Sequence, residues 1–454
     1  MFLKIPLTVR VRGILNSKKQ GLRRRGNVLY CVGGAFMHLE DKKKSLLLFW
    51  TVFFLYVLVY MTKNCFSAAM ASIVDAGVLS KSQTGLITAV FYIVYTPLQV
   101  VGGMVADRFK PDLLIKIGLI GGGIANAIIF FNQNYIVILV TWVFNAIIQF
   151  AVWPGVFKII SSQLIPEQRS RAAFFMSFSS TLGLMVAYIV AAMVRRWEDN
   201  FLISSVVLFL LTVVFHIITK RVEPYMVPDT VPRGVHSDKP LQIARHGMST
   251  GKILLMGGIC FVVVSYLLRA MLENGIKTLS ATMLMESYEQ VTPAIGNLLN
   301  TLVILSGMLG TLAVRFGLSR LIKDEIVGTA LLLALCFPFI ILLHFVGRYN
   351  VWIAVIALCI VVAALTGTYY LLLSYTMHFT RYGLSGTVAG ITNAAASFGI
   401  VIQSYGFTKL AEMTDWNTVA DLWLGLVAVS ALLLVIALPT WKRFKALERQ
   451  EETV

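Results

Sequence analysis

The sequence predicts an all-α integral membrane protein, with twelve transmembrane helices in two pseudo-symmetric six-helix bundles. Three observations carry that expectation. Hydrophobic residues make up 57% of the 454 and charged residues only 13%, against about 25% charged in a soluble domain. The apolar residues fall in runs of about twenty or more, long enough to cross a hydrocarbon core about 30 Å thick. Each half then carries one cation well inside its first apolar run: Lys63 in Tyr60-Met61-Thr62-Lys63 and Arg269 in Tyr266-Leu267-Leu268-Arg269.

The chain opens with a strongly basic stretch through Lys44, including Lys18, Lys19, Arg23, Arg24, Arg25 and Lys42 to Lys44. Its apolar patch Val28 to Phe36 is too short and glycine-rich to span. Residues 1–44 therefore read as a cytoplasmic segment or an over-called start; the second is preferred, with Met37 opening a shorter protein. Spans follow near 45–72, 84–105, 112–131, 136–159, 170–194 and 201–219, then near 252–273, 291–314, 325–346, 351–377, 385–409 and 418–441. Between them, residues 220–251 carry Pro224, Pro228, Pro232 and Pro240 and form the one long polar stretch. It divides a bundle over 45–219 from a bundle over 252–441, and 442–454 is a tail.

Charge orients these spans. Lys42 to Lys44, Arg108, Lys110, Lys116, Arg169, Arg171, Lys220, Arg221, Lys252, Arg315, Arg381, Lys442 and Arg443 fall on one side. Lys81, Arg195, Arg196, Lys277, Arg348 and Lys409 fall on the other, among acids. The positive-inside rule then puts both termini and the long loop in the cytoplasm, in a multi-pass protein of the plasma membrane. The net charge of +17 is thus a mark of membrane orientation, and nucleic acid is not an expected partner. Five scattered cysteines show no metal or disulfide spacing, and no metal or other cofactor is expected.

A cation in hydrocarbon costs about 2.5–3.5 kcal/mol on insertion scales, so two matched ones require a function. Polar residues line helix faces around them at three-, four- and seven-residue spacing: Tyr56, Tyr60, Lys63, Asn64 and Ser67; Tyr92, Tyr95, Thr96 and Gln99; Asn145, Gln149 and Trp153. In the second half the same spacing joins Tyr266, Arg269 and Glu273, then Asn297, Asn300 and Thr301, and Asn393 with Ser397. Single Asn, Ser or Thr residues in membrane helices more often tie helices together than touch a ligand. Arg269 also has Glu273 one turn away as an internal partner, whereas Lys63 has no acid at helical spacing. A guanidinium fork, an ammonium and the hydroxyls of Tyr60, Tyr95 and Tyr266 suit an oxyanion. No nucleophile–base set or phosphate-cradling loop appears, so an enzyme is not expected.

Several motifs together resemble the organophosphate:phosphate antiporters of the major facilitator superfamily, which include glycerol phosphate and hexose phosphate transporters. They are Lys63-Asn64-Cys65-Phe66 with Ala69-Met70, Gly103 to Pro111 around Asp107-Arg108, Trp153-Pro154 with Lys158, Tyr266-Leu267-Leu268-Arg269, and Gly386 to Gly390. The resemblance runs from about Leu48 to Trp441 and implies two parallel six-helix repeats rocking around a central site. It implies that Lys63 and Arg269 clamp phosphate and that Asp107 and Arg108 serve gating; Lys158 and Glu273 are further candidates for gating or coupling. The sequence also departs from the family. Lys63 replaces an arginine, Gln99 a lysine, and Ser180 stands roughly where the glycerol phosphate transporter has a histidine. With positive or titratable groups missing, a monoanion or a carboxylated or sulfonated compound stays open beside a phosphate ester.

The expected function is secondary transport of a small organic anion, a phosphorylated metabolite first, in exchange for inorganic phosphate, by a monomer. Two alternatives stay open: a proton-coupled transporter using Glu273, and a membrane sensor built on a transporter scaffold.

Overall fold

Water is absent from a bilayer core, so an apolar run there satisfies its own N–H and C=O groups by coiling into a helix. A computed structural model describes residues 37–228, 250–318, 324–379 and 384–452. The expectations made for residues 1–36 and 229–249 lie outside the described residues.

The first half holds α1 (Lys42–Asp75), α2 (Lys81–Arg108), α3 (Pro111–Phe131), α4 (Tyr135–Gln163), α5 (Pro166–Met193) and α6 (Asp199–Tyr225). The second holds α7 (Ile259–Ser287), α8 (Pro293–Gly317), α9 (Glu325–Phe345), α10 (Val351–Met377), α11 (Ser385–Met413) and α12 (Trp416–Glu452). Among the described residues, nine are long and apolar enough to cross a membrane. The other three, α2, α5 and α11, are as long at 28, 28 and 29 residues but more polar, and they occupy the remaining expected places.

Polar caps end the helices where water returns. Ser80 and Gln83 form a reciprocal capping box at α2, and Asp324 and Asn350 accept from the first N–H groups of α9 and α10. Before α12, Asp415 accepts from the N–H and hydroxyl of Thr418 (2.8 and 2.7 Å), which holds its carboxyl below the ordinary range. A short antiparallel pair, β1 (Met37–Leu39) with β2 (Met226–Pro228), joins the start of α1 to the end of α6, with Met37 opposite Pro228.

The seventh helix departs from the expected span of 252–273. A separate turn of helix, Thr250–Met256, ends at Gly257 and Gly258, and α7 then runs from Ile259 to Ser287. Gly258 has φ +72, and a Cβ on Gly257 would lie 2.4 Å from the Phe379 ring, so both positions require glycine. The helix continues past 273 because Arg269, Glu273 and Lys277, four residues apart, pair along one face.

The two halves meet most closely at the end away from Tyr225 and Thr250, here the far side. There α2 packs on α11, α5 on α8, and the last part of α1 on α7 and α8. A Cβ on Gly85 would fall 1.9 Å from Thr408 Oγ1, so α2 and α11 touch almost backbone to backbone. Lys81 pairs with Glu286 at 2.9 Å, and Trp416 Nε1–H donates to the same carboxylate oxygen at 2.7 Å. The Ser82 N–H donates to Glu412 at 3.0 Å, and the Tyr188 hydroxyl to the Thr278 carbonyl at 3.0 Å. Beneath these bonds, Ala68, Ala71, Ala187 and Ala191 of the first half are buried in one cluster with Ala281 and Ile304 of the second. The far side is therefore closed.

Candidate anion site

Lys63 is the last residue before a break in α1. Its helix stops at Lys63 and restarts at Cys65, with Asn64 between them at φ −103, ψ 6. The Asn64 side chain donates to the Tyr60 carbonyl at 2.8 Å, and its own N–H bonds to the Tyr60 and Met61 carbonyls. The break thus leaves these groups satisfied, as an interrupted helix at membrane depth requires.

The half-buried Lys63 ammonium lies 3.4 Å from the Tyr95 ring centroid, and 5.7 Å from those of both Tyr60 and Phe91. Phe91 stacks on Tyr95 with centroids 5.4 Å apart. Tyr56 bridges from Tyr60 (6.1 Å) to Trp153 (4.6 Å), which brings Trp153 to the edge of this group. Three π faces around one ammonium stabilise it by about 0.5–2 kcal/mol per good contact, and leave N–H donors for an anion. Among the described residues no carboxylate pairs with Lys63.

Arg269 is held differently. Its guanidinium lies over the Tyr266 ring at 4.8 Å, and its Nε–H donates to the Leu365 carbonyl at 3.1 Å. One terminal nitrogen pairs with Glu273 Oε2. The other carboxylate oxygen accepts from Lys277 Nζ at 2.6 Å and from the Thr366 hydroxyl at 2.9 Å. All three charged side chains are deeply buried, at 3%, 10% and 12% exposure. Glu273 is thus shared by two basic side chains, Arg269 and Lys277.

The structure thus gathers Lys63, Tyr60, Tyr95 and Trp153 in one station, and Tyr266, Arg269 and Glu273 in another. No ion pair or ring contact joins Lys63 to Arg269 among the described residues; each cation sits on the first long helix of its half. Asn145 and Gln149 are buried and bonded to each other, and Gln149 lies against Gly122 of α3, so they pack α4 on α3. Asn297 is fully buried on α8, while Asn393 is exposed on α11. Lys158 ends the segment Val152–Lys158 before a π turn, and its carbonyl accepts from the Ser161 and Ser162 hydroxyls. Gln99, Asp107 and Arg108 lie on α2, but their side chains fall outside the described residues.

Three members escaped the sequence reading. Phe91 gave no polar signal. Thr366 is a single threonine on α10, which only packing brings to Glu273. Lys277 belongs inside α7 and not with the loop residues of the far side, and its four-residue spacing from Glu273 was the signal that could have found it.

The first long helix of each half carries a cation, and in the first half that helix is broken beside it. The Major Facilitator Superfamily model matches residues 52–404. The chain belongs to the major facilitator superfamily. It is a multi-pass membrane protein of that superfamily, and its relatives accord with the organophosphate antiporter resemblance. The membrane sensor protein UhpC of Escherichia coli (strain K12) is 39% identical over 99 residues, covering 22% of this chain and 23% of that protein. The chain thus matches under a quarter of that relative's length. A probable hexose phosphate transport protein of Chlamydia trachomatis is 23% identical over 424 residues, covering 87% of this chain and 90% of the relative. In fold, the chain resembles a crystal structure of a bacterial homologue of the human lysosomal transporter Spinster, inward-facing and unoccupied. The TM-score is 0.61 at 15% identity, over 90% of this chain and 98% of that one, which speaks to fold alone.

Proposed function

We propose that this superfamily member is a secondary transporter of a small organic anion, a phosphorylated metabolite first, exchanged for inorganic phosphate by alternating access. The observation that carries the reading is the pair of buried cationic stations, one on the first long helix of each half. The Chlamydia trachomatis relative, a probable hexose phosphate transport protein similar over most of both chains, supports the substrate class. With both termini cytoplasmic in a plasma membrane, the closed far side faces outward, and the described state receives substrate from the cytoplasm.

In this reading the anion bridges the halves. Empty, Lys63 and the Arg269 group, taken as net positive, repel, which opposes closure at the end opposite the far side, the linker side. A bound oxyanion neutralises both and permits the halves to rock. Arg269 is pre-oriented by Leu365 and Tyr266, so it loses little freedom on binding. Asp107, Arg108 and Lys158 are proposed to serve gating on the linker side.

Proteoliposomes loaded with inorganic phosphate test the reading. Uptake of labelled phosphate or glucose 6-phosphate against internal phosphate is expected, and is lost in Arg269→Ala. Absence of exchange together with absence of anion-dependent stabilisation would contradict it.

A second reading has its own observation, the 39% identity to a protein named a membrane sensor. It keeps the same anion site but predicts binding of glucose 6-phosphate without counterflow.

A further inference from the structure

The missing cations of the sequence comparison have a counterpart in the second half. Lys277 lies two turns along α7 from Arg269, with Glu273 midway. Its ammonium is 2.6 Å from Glu273 Oε1, and its side chain is 12% exposed. The surroundings are shaped around this contact. A Cβ on Gly307 of α8 would lie 2.8 Å from Thr366 Oγ1 and 3.4 Å from Lys277 Cε. Glycine there leaves room for the lysine stem and the threonine hydroxyl that both serve Glu273. The Lys277 carbonyl is fixed in turn by the Asn300 amide at 2.9 Å.

We propose that Lys277 is a specificity-determining residue that sets the charge of the anion site at +2 and so selects dianionic phosphate esters over monoanionic sulfates. This rests on the transport reading of Lys63 and Arg269 above. Without Lys277, Glu273 would cancel Arg269, and the two stations together would offer a single positive charge. With Lys277 present, the carboxylate is shared between two cations, and Arg269 can direct its remaining N–H groups to substrate while Lys277 retains Glu273. The second half then supplies one net positive charge and Lys63 another. A phosphate monoester carries about −1.5 to −2 at neutral pH, whereas a sulfate ester of the same shape carries a single charge. A buried site of two positive charges matches the first and is left over-charged by the second.

The role is one of positioning and charge, so its test is a ratio. Purified protein is titrated with glucose 6-phosphate and with glucose 6-sulfate, each competed against labelled inorganic phosphate. Lys277→Gln is expected to lower the phosphate-to-sulfate preference by about tenfold or more, since one buried charge is removed. Lys277→Arg keeps the charge and is expected to keep the preference. Glu273→Gln with Lys277→Gln restores the charge total, and is expected to restore the preference to within about threefold of wild type. An unchanged preference in Lys277→Gln, or a double variant as poor as Lys277→Gln, would overturn the proposal. If Lys277→Gln does not insert, the double variant decides: a preference unlike wild type overturns the proposal. Arg269→Ala separates the two layers. If it binds both esters as wild type does, the transport site itself is misassigned; if it loses both while Lys277→Gln is normal, only the role of Lys277 falls.

Discussion

Lys63 and Arg269 each sit on the first long helix of their half, yet the protein stabilises them by different means. Lys63 sits against the faces of Tyr95, Tyr60 and Phe91, with no carboxylate at hand among the described residues. Arg269 sits in a network of Glu273, Lys277, Thr366 and Leu365. A π cage holds a cation without cancelling it, whereas a carboxylate holds a cation and cancels it. On the proposed role of Lys277, the second half keeps its positive charge through an additional lysine, and the first half needs none. Each half thus carries one cation on its first long helix, while the means of burying it differ.

That contrast can be broken most sharply at its strongest point. Arg269→Ala leaves Glu273 with Lys277 and removes the guanidinium fork; anion affinity should fall by about 2–5 kcal/mol, read by phosphate titration of protein that still inserts. Lys63→Met should cost less, about 1–3 kcal/mol, because it removes a single ammonium and not a planar, bidentate fork. Lys63→Arg should keep binding, since the cage accepts a guanidinium and its planar fork adds bidentate geometry. Tyr95→Leu should weaken phosphate binding several-fold, about 1 kcal/mol, while Tyr95→Phe keeps the π face and stays near wild type. If Tyr95→Phe is as weak as Tyr95→Leu, the hydroxyl and not the ring is what matters.

The smallest expected effect concerns the closed far side. Glu286→Gln removes the partner of Lys81 and weakens the acceptor for Trp416, at a partly exposed position. About 0.2–1 kcal/mol should shift to the far-side-open state, at most a few-fold in population. Faster labelling of a cysteine introduced at Ala71, buried in the closed state, would report it. Unchanged labelling would show that the small-residue packing beneath, and not the ion pair, keeps the halves together.

Apolar length and charge placement made most of the fold legible, because helix formation in a bilayer depends on little else. The end of α7 was not legible as a length. Glu273 and Lys277 read as a polar limit, but they pair with each other, and Ile276, Leu279 and Leu284 beyond them are buried, so the helix runs on to Ser287. The station around Lys63 was half legible: Tyr60 and Tyr95 announced themselves by polarity, but Phe91 contributes only a ring face. Asn145 and Gln149 share the spacing of a cavity stripe, yet they bond to each other and Gln149 lies against Gly122, because periodicity identifies a face without saying which neighbour it meets. Thr366 belongs to the site through a contact across 93 positions of sequence, which no local pattern records.

The central claim is that Lys63 and Arg269 hold one anion together, and a double-mutant cycle on phosphate binding tests it most directly. Phosphate affinity of wild type, Lys63→Met, Arg269→Ala and the double variant should show a coupling of about 1 kcal/mol or more, with the double variant little worse than Arg269→Ala. Independent effects that add to within about 0.3 kcal/mol would contradict it, and would assign the two cations to separate tasks.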